Sequence, residues 1–301
     1  MDQSSAIAHI AAGLVLSLVE IQSVEEGCDW IGQVCGASEI IRALPQEQRL
    51  LHNGSDASLI LGWVYHFDVF SRFSFRHWRT EMITSTALGL GFIPGSDGCA
   101  LQYLIARASF SKNLPGISVH AHEIERLLAQ VFDTILYSSD ERYHSDEYQH
   151  TLDDLSAQLE TTPLETDQEN LSEDDSLILE VTRLAGLIYH ERVSRNFSGS
   201  SSKLDAWRDR ALSILVRLNI CPSAFVLFII GCELHSDAER LSVLELFTRL
   251  ENAPHFKSLS VAKGLVQTAW TQHDLSTDGE FEYIHKINLV LSSRDAVPSF
   301  V

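Results

Sequence analysis

The sequence predicts an all-α fold, an irregular multi-helix domain of antiparallel helices interrupted by an acidic insertion. Two observations carry this. Apolar residues recur three and four apart along most of the chain, as one face of a helix requires. Convincing alternation of period two is absent, and the one hairpin-like pair, Asn53-Gly54, sits between helical patterns.

The clearest stripe is Ile124, Leu127, Leu128, Val131, Phe132 and Ile135, with polar residues between. Ser236-Asp-Ala-Glu239 reads as a capping box, in which the hydroxyl takes the N3 amide and the Glu reaches back. Leu241, Leu244, Leu246, Phe247 and Leu250 follow it. Pro222 suits the first turn of a helix running to about Leu234, where a missing N–H costs little. Further helices are expected near 6–22, 29–43, 56–73, 76–89, 98–111, 174–194, 203–219, 257–273 and 281–292. No fixed-period repeat argues for a solenoid.

Residues 1–301 read as a single domain that holds one unusual segment. From Asp140 to Asp175 there are thirteen acidic residues and one Arg142. Sparse apolar content predicts an acidic loop or linker over 140–175, with a short amphipathic helix through Leu152, Leu155 and Leu159 as the structured alternative. The segment is either a solvated insertion or an interaction surface, since acidic tracts broken by apolar residues suit protein contacts.

The 301 residues carry 22 Lys and Arg against 41 Asp and Glu, a formal charge of −19. Duplex binding needs clustered cations to release counterions from phosphate, and no basic stripe exists, so no direct nucleic-acid binding by this chain is expected. Cys28, Cys35, Cys99, Cys221 and Cys232 form no C-x-x-C pair. They read as free thiols in a reducing compartment. Ala6–Val19 is apolar over 14 residues, too short to span a bilayer, and Asp2 precedes it instead of a positive n-region. No membrane association is expected.

Chemistry-bearing patterns are thin. His120-Ala-His122 would point to different sides of a helix, and His144, Asp146, Glu147 and His150 lie in the acidic segment, so neither pattern argues for a metal. Gly89-Leu-Gly91 lacks the third glycine and the strand of a dinucleotide fingerprint. No catalytic residue, cofactor or metal is expected. The richest aromatic patch runs from Trp63 to Trp78. Trp63, Phe67 and Phe70 at helical spacing form a core stripe, or with Trp78 they wall an apolar ligand pocket between helices. Arg72, Arg76 and Arg79 make a cationic edge beside it, suited to acidic partners or to a ligand.

Several segments together resemble one family. Phe225–Phe247 combines an apolar helix, a Gly-Cys-Glu turn and a capped helix with an early Arg240. Val261–Asp274 follows, a helix with Trp270 near its end, and Leu184–Val193 ends in an aromatic–x–Glu/Arg pattern. Upstream, the stretches Leu14–Ile41 and Ser96–Ser109 carry a helix–Glu–loop–Trp–helix entry and a Gly-Cys helix start. From about residue 6 to 292 the chain is similar to the fungal-specific transcription factor domain, the regulatory region of fungal binuclear zinc-cluster regulators.

The resemblance implies a helical effector domain acting in the nucleus, controlling metabolic or secondary-metabolite genes. Its partners would be the transcription machinery or a DNA-binding protein, with a small-molecule effector and a homodimer also compatible. It implies scaffold roles for the motif residues: Gly231 for a close helix approach, Glu233 paired with Arg240, and Trp270 in the core. Family members usually carry a six-cysteine zinc cluster, and none lies in these 301 residues. The expectation is therefore a regulator without its own DNA-binding cluster. Two alternatives stand beside it: a pathway small-molecule binder or isomerase- or cyclase-type enzyme on the same fold, and an acidic interaction scaffold.

Overall fold

A computed structural model of the chain describes residues 3–22, 29–45, 55–78, 123–163, 172–218, 222–251, 257–275 and 282–301. Among them every regular element is helical. In chain order these are α1 (Gln3–Ile21), α2 (Asp29–Ala43), α3 (Asp56–His77), α4 (Glu123–Thr134), α5 (Asp146–Thr161), α6 (Glu173–Tyr189), α7 (Ser202–Arg217), α8 (Ala224–Cys232), α9 (Asp237–Glu251), α10 (Lys257–Leu275) and α11 (Tyr283–Ser292). The fold is all-α, as the periodicity requires.

Local chemistry sets the starts. Ser55, Ser145, Ser172, Ser201 and Ser223 each accept the amide three residues on, the N-cap arrangement that satisfies one orphan donor of the first turn. The expected capping box is present: Glu239 N–H donates to Ser236 Oγ at 3.3 Å, and Ser236 N–H donates to Glu239 Oε2 at 3.0 Å. Pro222 lies before the N-cap Ser223 and not inside the first turn. The helix expected from residue 76 does not begin there, because α3 continues to His77. The remainder of that expected helix, the one near 98–111, and His120, His122, Gly89, Gly91, Arg79, Cys28, Cys99 and Cys221 lie outside the described residues.

Over Asp146–Thr161 the acidic stretch forms the amphipathic helix that stood as the structured alternative, and residues 164–171 lie outside the described residues. Ser145 caps α5, and Tyr148, Leu152, Leu155 and Leu159 bury one side of it. Asp146, Glu147, Asp153, Asp154 and Glu160 all lie on its exposed side. One buried stripe offsets the ordering entropy that the composition alone suggested it could not. Asp175 belongs to a second capping box, with Ser172, that opens α6. His144 and His150 are exposed, and among the described residues no group of three metal-ligating side chains gathers.

The chain divides into two compact units, Met1–Arg126 with Leu291–Ser299 and Val301, and Leu127–Val290 with Phe300. In the first, α1 buries Ala6, Ile10, Leu14, Ser17 and Ile21, and Ser17 Oγ donates to Gly13 O at 2.9 Å. At 19 residues α1 is longer than the apolar run suggested and meets the length and composition of a membrane span, yet this stripe packs on α2. Trp30 of α2 stacks on Phe75 of α3, ring centroids 6.3 Å apart. Asp68 and Arg72 form an ion pair inside α3 at 2.7 Å, both buried.

The second unit is built around α8, whose residues Phe225 to Ile230 are all buried, as an apolar helix without a polar face must be. Phe132 of α4, Tyr189 of α6 and Phe225 of α8 meet edge to face at 5.3–5.9 Å. On α6 and α7, Glu180 pairs with Arg210 and Glu173 with Arg217. The seven-residue step on both helices, with opposite sense, fixes them as antiparallel. Arg249 of α9 donates to Val216 O at 3.1 Å and Leu218 O at 3.0 Å, capping the C-terminus of α7 with a cation.

Candidate functional site: a buried polar hub

The motif segments that pointed to a family converge in the second unit. After Tyr189 the helix widens into a π-helical turn, His190–Ser194, closed by Arg195 N–H to His190 O at 3.1 Å. The extra residue in that turn coincides with Arg192 being directed into the core, where it is buried. Its Nε donates to Glu233 at 2.9 and 3.1 Å, and Nη2 donates to Glu233 Oε2 at 2.7 Å. Nη1 donates to the carbonyls of Phe197 at 3.0 Å and Gly199 at 2.6 Å. All three guanidinium nitrogens are thereby engaged.

Tyr283, at the start of α11, completes the group. Its hydroxyl donates to Glu233 Oε1 at 2.5 Å, and its ring lies 5.4 Å from the Arg192 guanidinium carbon. Its backbone N–H donates to Asn196 Oδ1 at 3.2 Å. Asn196 holds a φ of 49°, a left-handed conformation that Asn tolerates better than most residues. Burial, then the Glu233 charge, pushes the Tyr283 phenol well above its ordinary value, so it stays a neutral donor. Burial works against the Arg192 charge, but the Glu233 hydrogen bonds and charge leave it above its ordinary value.

Beside this hub lies the turn between α8 and α9. A Cβ built on Gly231 would come within 2.6 and 2.9 Å of the Val266 methyls, so only glycine lets α10 approach this closely. Trp270 of α10 is buried and its Nε1 donates to Gly231 O at 2.8 Å. Arg240 donates to Asp274 through Nη1 and Nη2, both at 2.8 Å, and to Leu234 O through Nε at 3.2 Å. The expected Glu233–Arg240 pair is therefore not made. Glu233 is buried and turns inward to Arg192, while Arg240 lies at the rim beside the exposed Asp274. The close approach at Gly231 and the core role of Trp270 are as expected.

Every charged atom of the hub is saturated by another protein atom, which is the chemistry of a cross-link. It ties the π turn, the 195–199 loop, the α8–α9 turn and the start of α11. The sequence placed Arg192 within the aromatic–x–Glu/Arg pattern of Leu184–Val193 without a partner for it, and Asn196 and Tyr283 were not singled out. The available signal was a His-Glu-Arg triplet directly after the apolar run Leu184–Tyr189, an unusual place for three polar groups.

The four aromatic residues expected to wall a pocket are all on or directly after α3. Phe67, Phe70 and Trp78 are buried, and Trp78 Nε1 donates to Arg294 O at 3.1 Å. Trp63 is 48% exposed, edge-on to His66 at 5.8 Å and 6.4 Å from Phe67. His66 Nδ1 bonds Glu125 at 2.7 Å. Of the cationic edge beside them, Arg72 is the partner of Asp68. Burial pushes the Cys35 thiol up to about 11 and the Cys232 thiol well above its ordinary value, as inert free cysteines require.

The fungal specific transcription factor domain model matches residues 2–288. The chain belongs to that family. It is also 28% identical over 301 residues to transcription factor iacI of Pestalotiopsis fici, a match covering 98% of this chain and 72% of that protein. No solved structure is similar. The chain is a transcription regulatory protein, and its family works with DNA-binding or transcription partners and is generally nuclear. Membership in a transcription factor family also points away from catalysis.

Proposed function

We propose that this chain is the effector module of a nuclear regulator that controls a metabolic or secondary-metabolite gene cluster in a fungus. It works through a DNA-binding partner and the transcription machinery. The family match along nearly the whole chain carries this reading. The hub supports it, because its buried charges bond to protein atoms and serve packing. The exposed acids of α5 supply a surface for protein contacts, and the excess of acidic over basic residues disfavours direct contact with phosphate.

The test is deletion of the gene followed by transcript profiling, with the tagged full chain imaged in the same strain. Coordinated change in a set of metabolic genes, with the tag in nuclei, is the expected result. An unchanged transcript profile, together with turnover of a pathway intermediate by the purified chain, would replace this reading with the enzymatic one.

A further inference from the structure

His235 follows the Gly-Cys-Glu turn and His273 lies in the last turn of α10, and their rings stack with centroids 4.6 Å apart and planes 24° from parallel. Both residues are exposed, so protons reach them freely. On α10, Trp270, His273 and Asp274 are three and four apart and share one side. That side holds the end of α8, the α8–α9 turn and the first turn of α9 at one point each: Trp270 to Gly231 O, the stacked imidazoles, and Asp274 to Arg240. Only the middle point changes charge near neutral pH.

We propose that the His235–His273 stack is an acid-sensitive latch between the α8–α9 turn and the C-terminal turn of α10. Two neutral imidazoles stack without electrostatic cost. A first proton is shared against a neutral ring, but a second places two like charges at contact distance. The surrounding charges are mixed. Facing His235 are Glu233 of its own turn, Arg192 of the π turn, Arg208 of α7 and His273 of α10. The His235 backbone N–H also donates to Glu239 of α9, and Asp274 lies next to His273. Partial covering of its ring, then the neighbouring His273, lowers the His235 value from its ordinary range although the residue reaches the surface. A depressed imidazole favours the closed latch above the ordinary histidine value and loses that preference as pH falls below it. Opening loosens the α8–α9 turn from the end of α10 and leaves the Arg240–Asp274 pair as the remaining tie to the first turn of α9, while the buried hub below stays paired.

The test is hydrogen exchange by mass spectrometry on the full chain at pH 7.5 and 5.5, corrected for the intrinsic pH dependence of exchange. Peptides spanning 231–243 and 268–275 report the latch, and a peptide from 181–189 reports the core. In the wild type the latch peptides are expected to lose protection on acidification, with the core peptide unchanged. His273→Phe keeps a stacking ring that takes no proton and should hold its protection at pH 5.5, as should His235→Phe. Latch protection unchanged by pH in the wild type, an equal loss in both phenylalanine variants, or a loss shared by the core peptide would each overturn the proposal.

Discussion

Replacing Arg192 with methionine keeps the length of the side chain and removes the cation from a site that water barely reaches. The Glu233 side chain is 5% exposed and would lose three hydrogen bonds, keeping that from Tyr283. Breaking one half of a buried ion pair costs about 3–5 kcal/mol, since the remaining charge has no compensation. For a cooperative unit of this size each kcal/mol lowers Tm by about 2–4 °C, so the expected fall is about 6–20 °C. The Phe197 carbonyl adds to the loss, whereas Gly199 is exposed and water replaces its donor. Urea unfolding followed by circular dichroism measures the change. Removing both charges, with Arg192→Met and Glu233→Leu together, should recover about 1–3 kcal/mol as a coupling term. A single variant within about 1 kcal/mol of wild type, or strictly additive variants, would refute the hub as a structural cross-link.

Three further outcomes follow from the same contacts. Gly231→Ala should destabilise by about 1–3 kcal/mol through its clash with Val266; Val266→Ala in the same chain should relieve part of that, and a clash-free single variant in urea unfolding would count against the close packing. His190 is buried, its Nε2 donating to Leu152 O at 2.9 Å, and burial lowers its pKa to about 4. The unfolded chain then binds the proton first, so stability contributed above the ordinary value of about 6.5 is lost as pH falls from there toward 4, about 3 kcal/mol in all. His190→Gln keeps a donor and should flatten that slope in pH-dependent denaturation, and an unaltered slope would contradict the assignment. Ser172→Ala removes the capping box of α6 and should cost about 1 kcal/mol, read as a lowered Tm; an unchanged Tm would show the cap to be dispensable.

The parts of the fold that could be read in advance are those where one local rule decides. The α4 stripe, the Ser236–Glu239 box and the all-apolar α8 each state their own structure, since periodicity and capping act within a few residues. Composition left the acidic segment open between a loop and a helix through Leu152, Leu155 and Leu159, because it averages over positions. Leu152, Leu155 and Leu159 bury one side of α5 while the acids take the other, and only the register separates them. The hub was illegible for a different reason. Arg192, Glu233 and Tyr283 are 41 and 50 residues apart, and no local pattern says which of two arginines meets a glutamate. Burial settles it: Glu233 faces inward, so it needs the buried Arg192, and Arg240 is left to the exposed Asp274. The aromatic patch shows the same limit. Spacing placed Trp63, Phe67 and Phe70 on one core stripe of α3, but only Phe67 and Phe70 are buried there and Trp63 reaches solvent.

Fusing the full chain to an unrelated DNA-binding module, and measuring transcript from a reporter carrying that module's sites, tests the central claim most directly. The fusion is expected to change reporter transcript relative to the module alone, and Arg192→Met to weaken the change in step with its loss of folded protein. Reporter transcript identical to that of the module alone, from a fusion that is folded and in the nucleus, would contradict it.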